Sequence, residues 1–314
     1  MSQVLVEVER SGRVESVHRG TLAVIDAEGH VLEAVGDPYA VIWPRSCMKP
    51  LQAVAMVHAG LDLDDELLAL AAASHSGEAV HVGAVRRILA LAGLTPDDLD
   101  NTAGLPLGPE AAQTLLLAGG GPDRLHQNCS GKHAAMLLTA AIHGWPLAGY
   151  REPEHPLQVH IRNSIEDALN APVESVGVDG CGAPLFAVPL QPLARGISAI
   201  LAAPAGSPER CVADAMRAHP ALVGGTGRHV TAFMQAVPGL LAKDGAEGVY
   251  VAAVPGGPAA VVKVEDGADR AAGLAAAAAL ARHGVDPDAL APLTRQPLLV
   301  HDAVVGEMRA VPPR

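Results

Sequence analysis

Apolar and polar positions alternate with a period of two over the first 45 residues, and with a helical period through most of the remaining chain. VLVEVE (4–9) alternates, and VESVHRG (14–20) continues it. TLAVIDAEGHVLEAVG (21–36) predicts a hairpin turning at Ala27-Glu28-Gly29. A short apolar strand is expected over 39–43. The period then changes: Leu51, Val54, Ala55 and Val57 share a helical face, and helical patterns recur at 67–73, 80–91, 109–118, 132–143, 155–169, 193–203 and 208–218. Residues 222–247 predict loop and short helix. A second hairpin is expected from 248–254 and 259–264, turning at 255–258. An Ala-rich helix over 268–283 and a last strand over 304–311 close the chain. Strands at both ends with helices between them predict one α/β domain spanning 1–314. Its sheet, mixed or antiparallel, is built from both termini, with an inserted helical lobe. That order is not the β-α-β alternation of a doubly wound sheet.

Composition narrows the function classes. The 314 residues are 49% hydrophobic and 18% charged, with a net charge of -12. Nucleic-acid binding needs clustered Lys and Arg, so that partner is not expected. No apolar run reaches the roughly 18 residues that cross a bilayer. The first residues, MSQVLVEVER, lack the basic head and apolar core of a signal peptide, so a cytoplasmic protein without membrane attachment is expected. Lysine is scarce: four (Lys49, Lys132, Lys243, Lys263) stand against eighteen Arg. Where Arg serves for charge, a retained Lys is a candidate for chemistry that needs a removable proton. The four cysteines (Cys47, Cys129, Cys181, Cys211) read as thiols or metal ligands rather than disulfides.

Five segments carry candidate chemistry. Ser46-Cys47-Met48-Lys49 follows Pro44 and precedes Pro50, which fits only near a helix start. One helical turn brings a hydroxyl toward an amine three positions on, and a neutral amine can take the serine proton. The alternative is an exposed lysine beside a capping serine. Lys263, in VVKVEDG, either faces such a serine or pairs with Glu265 or Asp266. Ser74-His75-Ser76-Gly77-Glu78 is polar between apolar runs, as a site loop or a helix cap would be. Cys129, before a helix, and Cys181, in Asp179-Gly180-Cys181-Gly182, offer two soft zinc ligands, with His133 as a third; two buried free thiols are the alternative. Gly131-Lys132 is not a phosphate loop, because His126 stands where the first glycine belongs. The Ser-Asp-Asn and Lys-Thr-Gly that accompany Ser-x-x-Lys in class A β-lactamases are absent.

Taken in order, Arg45-Ser46-x-x-Lys49-Pro50-x-Gln52, Ala73-Ser74-His75-Ser76-Gly77-Glu78, Asn128-Cys129-Ser130-Gly131-Lys132-His133, Asp179-Gly180-Cys181-Gly182, Glu247-Gly248-Val249-Tyr250 and Lys263-Val264-Glu265-Asp266-Gly267 resemble the rhizobial-type, or class 3, L-asparaginases of the asparaginase II family. The resemblance runs from about residue 18 to 284. It implies a serine β-lactamase/glutaminase-like fold, hydrolysis of L-asparagine and a homodimer. It also implies two Ser–Lys pairs, Ser46 with Lys49 and Lys263 with Ser74 or Ser76, Ser74 being preferred. Zinc would be held by Cys129, Lys132 and Cys181. Substrate contacts would fall on Arg45, His75, Ser130, Gly131, His133, Asp179 and Gly182, with Asp179 and His133 also near the metal. Val230 stands where the family often has an acidic residue, which bears on specificity. The other readings are a Ser–Lys glutaminase, a β-lactam or peptide hydrolase, and a zinc-stabilised inactive binding protein.

Overall fold

The computed structural model describes residues 2–313. Its strands are β1 (Gln3–Arg10), β2 (Arg13–Ile25), β3 (Val31–Val35), β4 (Val41–Ile42), β5 (Ser175–Val178), β6 (Pro184–Pro189), β7 (Leu241–Gly245), β8 (Val249–Ala253), β9 (Ala259–Val264), β10 (Arg295–Val300) and β11 (Ala303–Ala310). The helices are α1 (Lys49–His58), α2 (Asp65–Ala71), α3 (Ala79–Leu91), α4 (Pro109–Leu117), α5 (Ser130–Ile142), α6 (Pro156–Leu169), α7 (Leu190–Ala202), α8 (Pro208–Ala218), α9 (Pro220–Val223), α10 (His229–Ala236), α11 (Asp269–Arg282) and α12 (Pro287–Leu290). The chain divides into two compact units. One holds the residues up to Cys47, Val188–Ala202 and the chain from Ala232 onward; the other holds Met48–Ala187 and Ala203–Thr231.

The first unit is built on an antiparallel sheet of order β10-β11-β1-β2-β9-β8-β7, with β3 also pairing β2. Both termini enter it, as the pattern of the sequence predicts: Val8 on β1 stands opposite Met308 on β11. β1 and β2 form a two-residue hairpin through Ser11 and Gly12, both at positive φ (50° and 80°), the turn whose twist suits a hairpin. Leu22 to Ile25 on β2 and Val249 to Ala253 on β8 are buried throughout. α11 packs on β8 and β9, and α7 on β2, β8 and β9. The alanines of α11 from Ala271 to Ala279 are buried apart from Ala278, and such small side chains let a helix lie close to a strand.

The second unit is mostly helical. α5 is buried from Ser130 to Ala140 and packs on α2 and α3, while α1 packs on α6 and α8. Asp64 caps α2, its Oδ1 accepting from the Leu67 N–H at 2.9 Å. β5 pairs with the first part of β6 here, Val176 opposite Phe186. β6 then runs on into the first unit, where Val188 stands opposite Ile42 of β4.

The structure departs from the sequence pattern in four places. Residues 222–247 hold the end of α9, all of α10 and strand β7 rather than loop and one short helix. The sequence of β7, LAKDG, hides its strand because it carries a Lys-Asp pair inward. β5 and β6 contain the glycine and prolines that normally argue against a strand, and β10, with Pro297, sits on the sheet edge where proline is tolerated. Only Val41–Ile42 of the strand expected over 39–43 is extended and paired. No helix among the described residues is long and apolar enough to cross a membrane.

Candidate active site

In the helical unit, two of the residues singled out by sequence, Ser74 and Cys129, meet at Lys49. This lysine opens α1 directly after the 3-10 turn Arg45–Met48, with Pro50 inside the first helical turn. It is 1% exposed. Its Nζ lies 2.5 Å from the Ala73 carbonyl, 3.0 Å from Ser74 Oγ and 3.1 Å from Cys129 Sγ. An ammonium would donate to all three. A free amine donates to two and turns its lone pair to the third, which makes it an acceptor for the Ser74 proton. Ser74 is 4% exposed and its backbone N–H is tied to the Val223 carbonyl at 3.0 Å, so the hydroxyl is held from both sides.

Cys129 sits at the N-terminus of α5, and Cys181 in the turn between β5 and β6. The two thiols meet in a buried cluster with Ala183, and Lys132 Nζ lies 3.4 Å from Cys181 Sγ. The Cys129 thiol donates to Cys181. That bond, with burial, pushes Cys129 up to about 12 and, with the Lys132 amine alongside, pulls Cys181 down to about 5. Burial works against the Lys132 ammonium, but the sulfurs of Cys181 and Cys129 outweigh it and raise the lysine above its ordinary range. Two thiols and an amine, all nearly inaccessible, form a donor set suited to a soft metal. His133 supports the same reading: burial lowers it to about 3, and its Nε2 is buried without a hydrogen-bond partner. Its Nδ1 lies 2.8 Å from Tyr150 Oη, which also accepts the Asp100 N–H at 3.0 Å. Asp179 lies close by, its Oδ2 3.7 Å from Cys181 Sγ, and the Gly182 N–H donates to the Asp179 carbonyl. Gly131 has no room for a side chain, since a Cβ there would stand 2.6 Å from the Leu70 carbonyl; this lets α5 bring Cys129 and Lys132 inward.

His75 is fully buried, and both ring nitrogens are engaged. Nε2 lies 3.0 Å from Ser130 Oγ, which itself donates to the Leu125 carbonyl, so Nε2 carries the proton; Nδ1 accepts from the Gly77 N–H. His81 stacks on it at 5.2 Å and likewise accepts a backbone N–H, that of Glu78, at Nδ1. Burial holds His75 well below the ordinary histidine range and lowers His81 as well. Neither ring keeps its Nδ1 bond once protonated. The unfolded chain takes up protons near pH 6.5 that the folded protein refuses, so these histidines stabilise fully above that pH and progressively less below it. Each costs up to about 1.4 kcal/mol per pH unit between its unfolded and folded values. Denaturant melts at pH 7.5, 6 and 5 should show the midpoint falling, and His81→Gln should flatten the fall.

The remaining predicted residues lie in the sheet unit. Ser46 is 8% exposed, and its hydroxyl has no hydrogen-bond partner among the described residues. Arg45 has φ 50°, and its guanidinium lies 4.0 Å from the Glu247 carboxylate. Lys263, on β9, donates to the carbonyls of Glu247 and, at 2.9 Å, Val264. Burial lowers its pKa. Lys243, the fourth lysine, is fully buried and ion-paired with its neighbour Asp244.

Sequence reasoning missed Tyr150, although an aromatic in a chain only 2% aromatic was a usable signal. It also missed the Ala73 carbonyl and the Cys129 thiol as partners of Lys49, for which no residue pattern exists. His133 was foreseen; that it is left with an unpartnered nitrogen was not.

No curated protein matches the chain. Among solved structures, Mglu in its tris and glutamate form is 15% identical, with a TM-score of 0.36 over 81% of this chain and 56% of that one. Mglu in its glutamate form is 16% identical, also at 0.36, over 82% and 59%. The chain spans less than two thirds of the length of these structures. The model of the L-asparaginase II family matches residues 6–310, nearly the whole sequence and every segment described above, and the chain belongs to that family.

Proposed function

We propose that the protein hydrolyses the side-chain amide of L-asparagine to L-aspartate and ammonia. The observation that carries this reading is the buried Lys49 amine 3.0 Å from Ser74 Oγ, in a chain of the L-asparaginase II family. By the family resemblance, Ser46 Oγ is the group that attacks the amide carbon and Lys49 the base that takes its proton. The carbonyl electron pair moves to oxygen, and the resulting oxyanion is stabilised by backbone N–H groups near the start of α1. Collapse expels ammonia, protonated by a lysine or through Ser74. Water then cleaves the ester, releasing aspartate and restoring the serine. Ser74 and Lys263 relay protons. By the family resemblance Arg45 and Asp179 are substrate-binding residues of opposite charge, as a zwitterionic amino acid requires, and His75, Ser130, Gly131, His133 and Gly182 are further substrate contacts. The antiparallel sheet with its helical insertion is compatible with a serine β-lactamase/glutaminase-like fold; the homodimer rests on the family resemblance and the cytoplasmic setting on the sequence alone.

Cys129, Lys132 and Cys181 would hold zinc, which when bound supplies positive charge and ties α5 to the β5–β6 turn. Lys132 and Cys129 must give up protons to bind it, so binding weakens as pH falls. Elemental analysis should give about one zinc per chain, lost in Cys181→Ser. Chelation should lower Tm by several degrees, because a ligand bound only to the folded state stabilises by mass action, about 4 kcal/mol at a thousandfold excess over its Kd. A chain that takes up no zinc and melts identically with chelator rejects the site.

Ammonia release from L-asparagine, L-glutamine and a chromogenic lactam, with and without chelator, tests the activity. Turnover of asparagine above the other two is expected. Glutamine as the better substrate identifies a glutaminase, lactam cleavage a lactam hydrolase, and binding without turnover of any of them an inactive relative.

A further inference from the structure

In the sheet unit, the turn between β7 and β8 touches Lys263, and the strand leading into it packs against the residues that flank Ser46. Gly245 and Val249 are paired across it, so the turn consists of residues 246–248. Two consecutive residues in it are left-handed, Glu247 at φ 61° and Gly248 at 67°. Glycine adopts that conformation freely, whereas a residue with a Cβ gives up about 1 kcal/mol or more, a cost that persists only where the surroundings impose it. Here they do. The Gly248 N–H donates to Asp269 Oδ1 at 2.8 Å, and the Gly248 carbonyl accepts the Val264 N–H at 2.8 Å. So anchored, the turn points the Glu247 carbonyl at Lys263 Nζ. That contact and the Val264 carbonyl fix the nitrogen without fixing its charge, because a carbonyl accepts equally from an amine and an ammonium. One direction at Nζ stays open for proton exchange.

The strand entering the same turn seats Ser46. A Cβ on Gly245 would stand 2.9 Å from the Pro44 carbonyl, 3.2 Å from Cys47 Sγ and 3.3 Å from the Cys47 nitrogen. Cys47 donates its S–H to the Lys243 carbonyl at 3.1 Å. The turn carrying Ser46 therefore lies flat on the end of β7. The left-handed residue of that turn, Arg45, lies 4.0 Å from a Glu247 carboxylate that is 67% exposed, a contact too long and too wet to hold the turn by itself. The backbone carries the connection.

We propose that the 246–248 turn is a positioning element of the active site, in which the left-handed backbone of Glu247 aims its carbonyl at Lys263 while β7 seats the turn bearing Ser46. This rests on the proposed asparagine hydrolysis. It makes Glu247 and Gly245 positioning residues, acting through Lys263 and Ser46.

The test is steady-state ammonia release from L-asparagine by the full chain. Glu247→Val resists the left-handed conformation and should lower kcat about thirtyfold with KM within about twofold, since displacing a reacting group by a fraction of an ångström costs rate rather than binding. Glu247→Gly keeps the backbone and removes only the carboxylate, so its loss should stay near threefold. Gly245→Ala pushes the Ser46 turn directly and should cost at least about tenfold in kcat by the same argument. Equal losses in Glu247→Val and Glu247→Gly would assign the role to the carboxylate and overturn the proposal. So would a rise in KM at unchanged kcat. If Glu247→Val shows no cooperative melting, Gly245→Ala decides alone: wild-type kcat there overturns the positioning role. Wild-type protein that releases no ammonia overturns the asparaginase reading and this one with it; an active wild type with insensitive variants overturns only this one.

Discussion

Ser46→Ala is expected to lose at least roughly 10⁴-fold in kcat, more than 5 kcal/mol of transition-state stabilisation at 1.36 kcal/mol per decade. It should melt within a degree or two of the parent. The substitution deletes one hydroxyl that has no partner among the described residues, so no donor or acceptor is stranded and no cavity larger than an oxygen atom is left. The rate loss is large because nothing replaces the covalent step: the remaining groups can still bind and polarise asparagine, but only water is left to attack it. The measurement is ammonia release under saturating asparagine, paired with intact-mass detection of an adduct to a serine-directed electrophile. Ser46→Ala should abolish the adduct. Ser74→Ala should weaken turnover and still form it. If the two results are exchanged, Ser74 is the nucleophile, a role its contact with Lys49 also allows. Activity above about one per cent in Ser46→Ala removes Ser46 from the chemistry, since that is far more than a lost nucleophile leaves behind.

Much of this site was legible in the sequence because lysine is rare. Three of the four lysines fall in motif segments, and the structure buries two of those, Lys49 and Lys132, almost completely. Period and composition also revealed the order of elements, with strands at both ends and helices between. The features they concealed depend on long-range packing. β7 looked like a loop because its Lys-Asp pair is polar, yet Lys243 is fully buried with Asp244 as its counter-ion. β5 and β6 were hidden by a glycine and prolines. The spacing of three between Ser46 and Lys49 suggests one pair, but within its own unit Lys49 bonds Ser74, Ala73 and Cys129, 24 to 80 positions away. Motif spacing reports neighbours along one helix and says nothing of carbonyls or thiols brought in by another. The Cys129 contact has a chemical consequence: the base of one proposed site touches a ligand of the other, so metal loading and catalysis are expected to influence each other through Lys49.

Replacing Lys49 itself should show how far that amine carries the reaction. Lys49→Met keeps the length and apolar stem of the side chain in a site that is 1% exposed, so the core stays filled. Three acceptors lose their donor: the Ala73 carbonyl, Ser74 Oγ and Cys129 Sγ. Stranding a buried carbonyl costs about 1–3 kcal/mol, while removing a buried charged or polar group returns part of its desolvation, so a drop in Tm of only a few degrees is expected. kcat should fall about 10³-fold or more, because general-base assistance and the orientation of a serine are lost together. Lys49→Arg separates the two possible roles. A guanidinium restores positive charge and donors but does not release a proton near neutral pH. If Lys49 works as a base, Arg rescues stability and not rate. If it only holds Ser74 and screens charge, Arg restores a substantial part of kcat, and the proton-transfer role assigned to the amine is wrong.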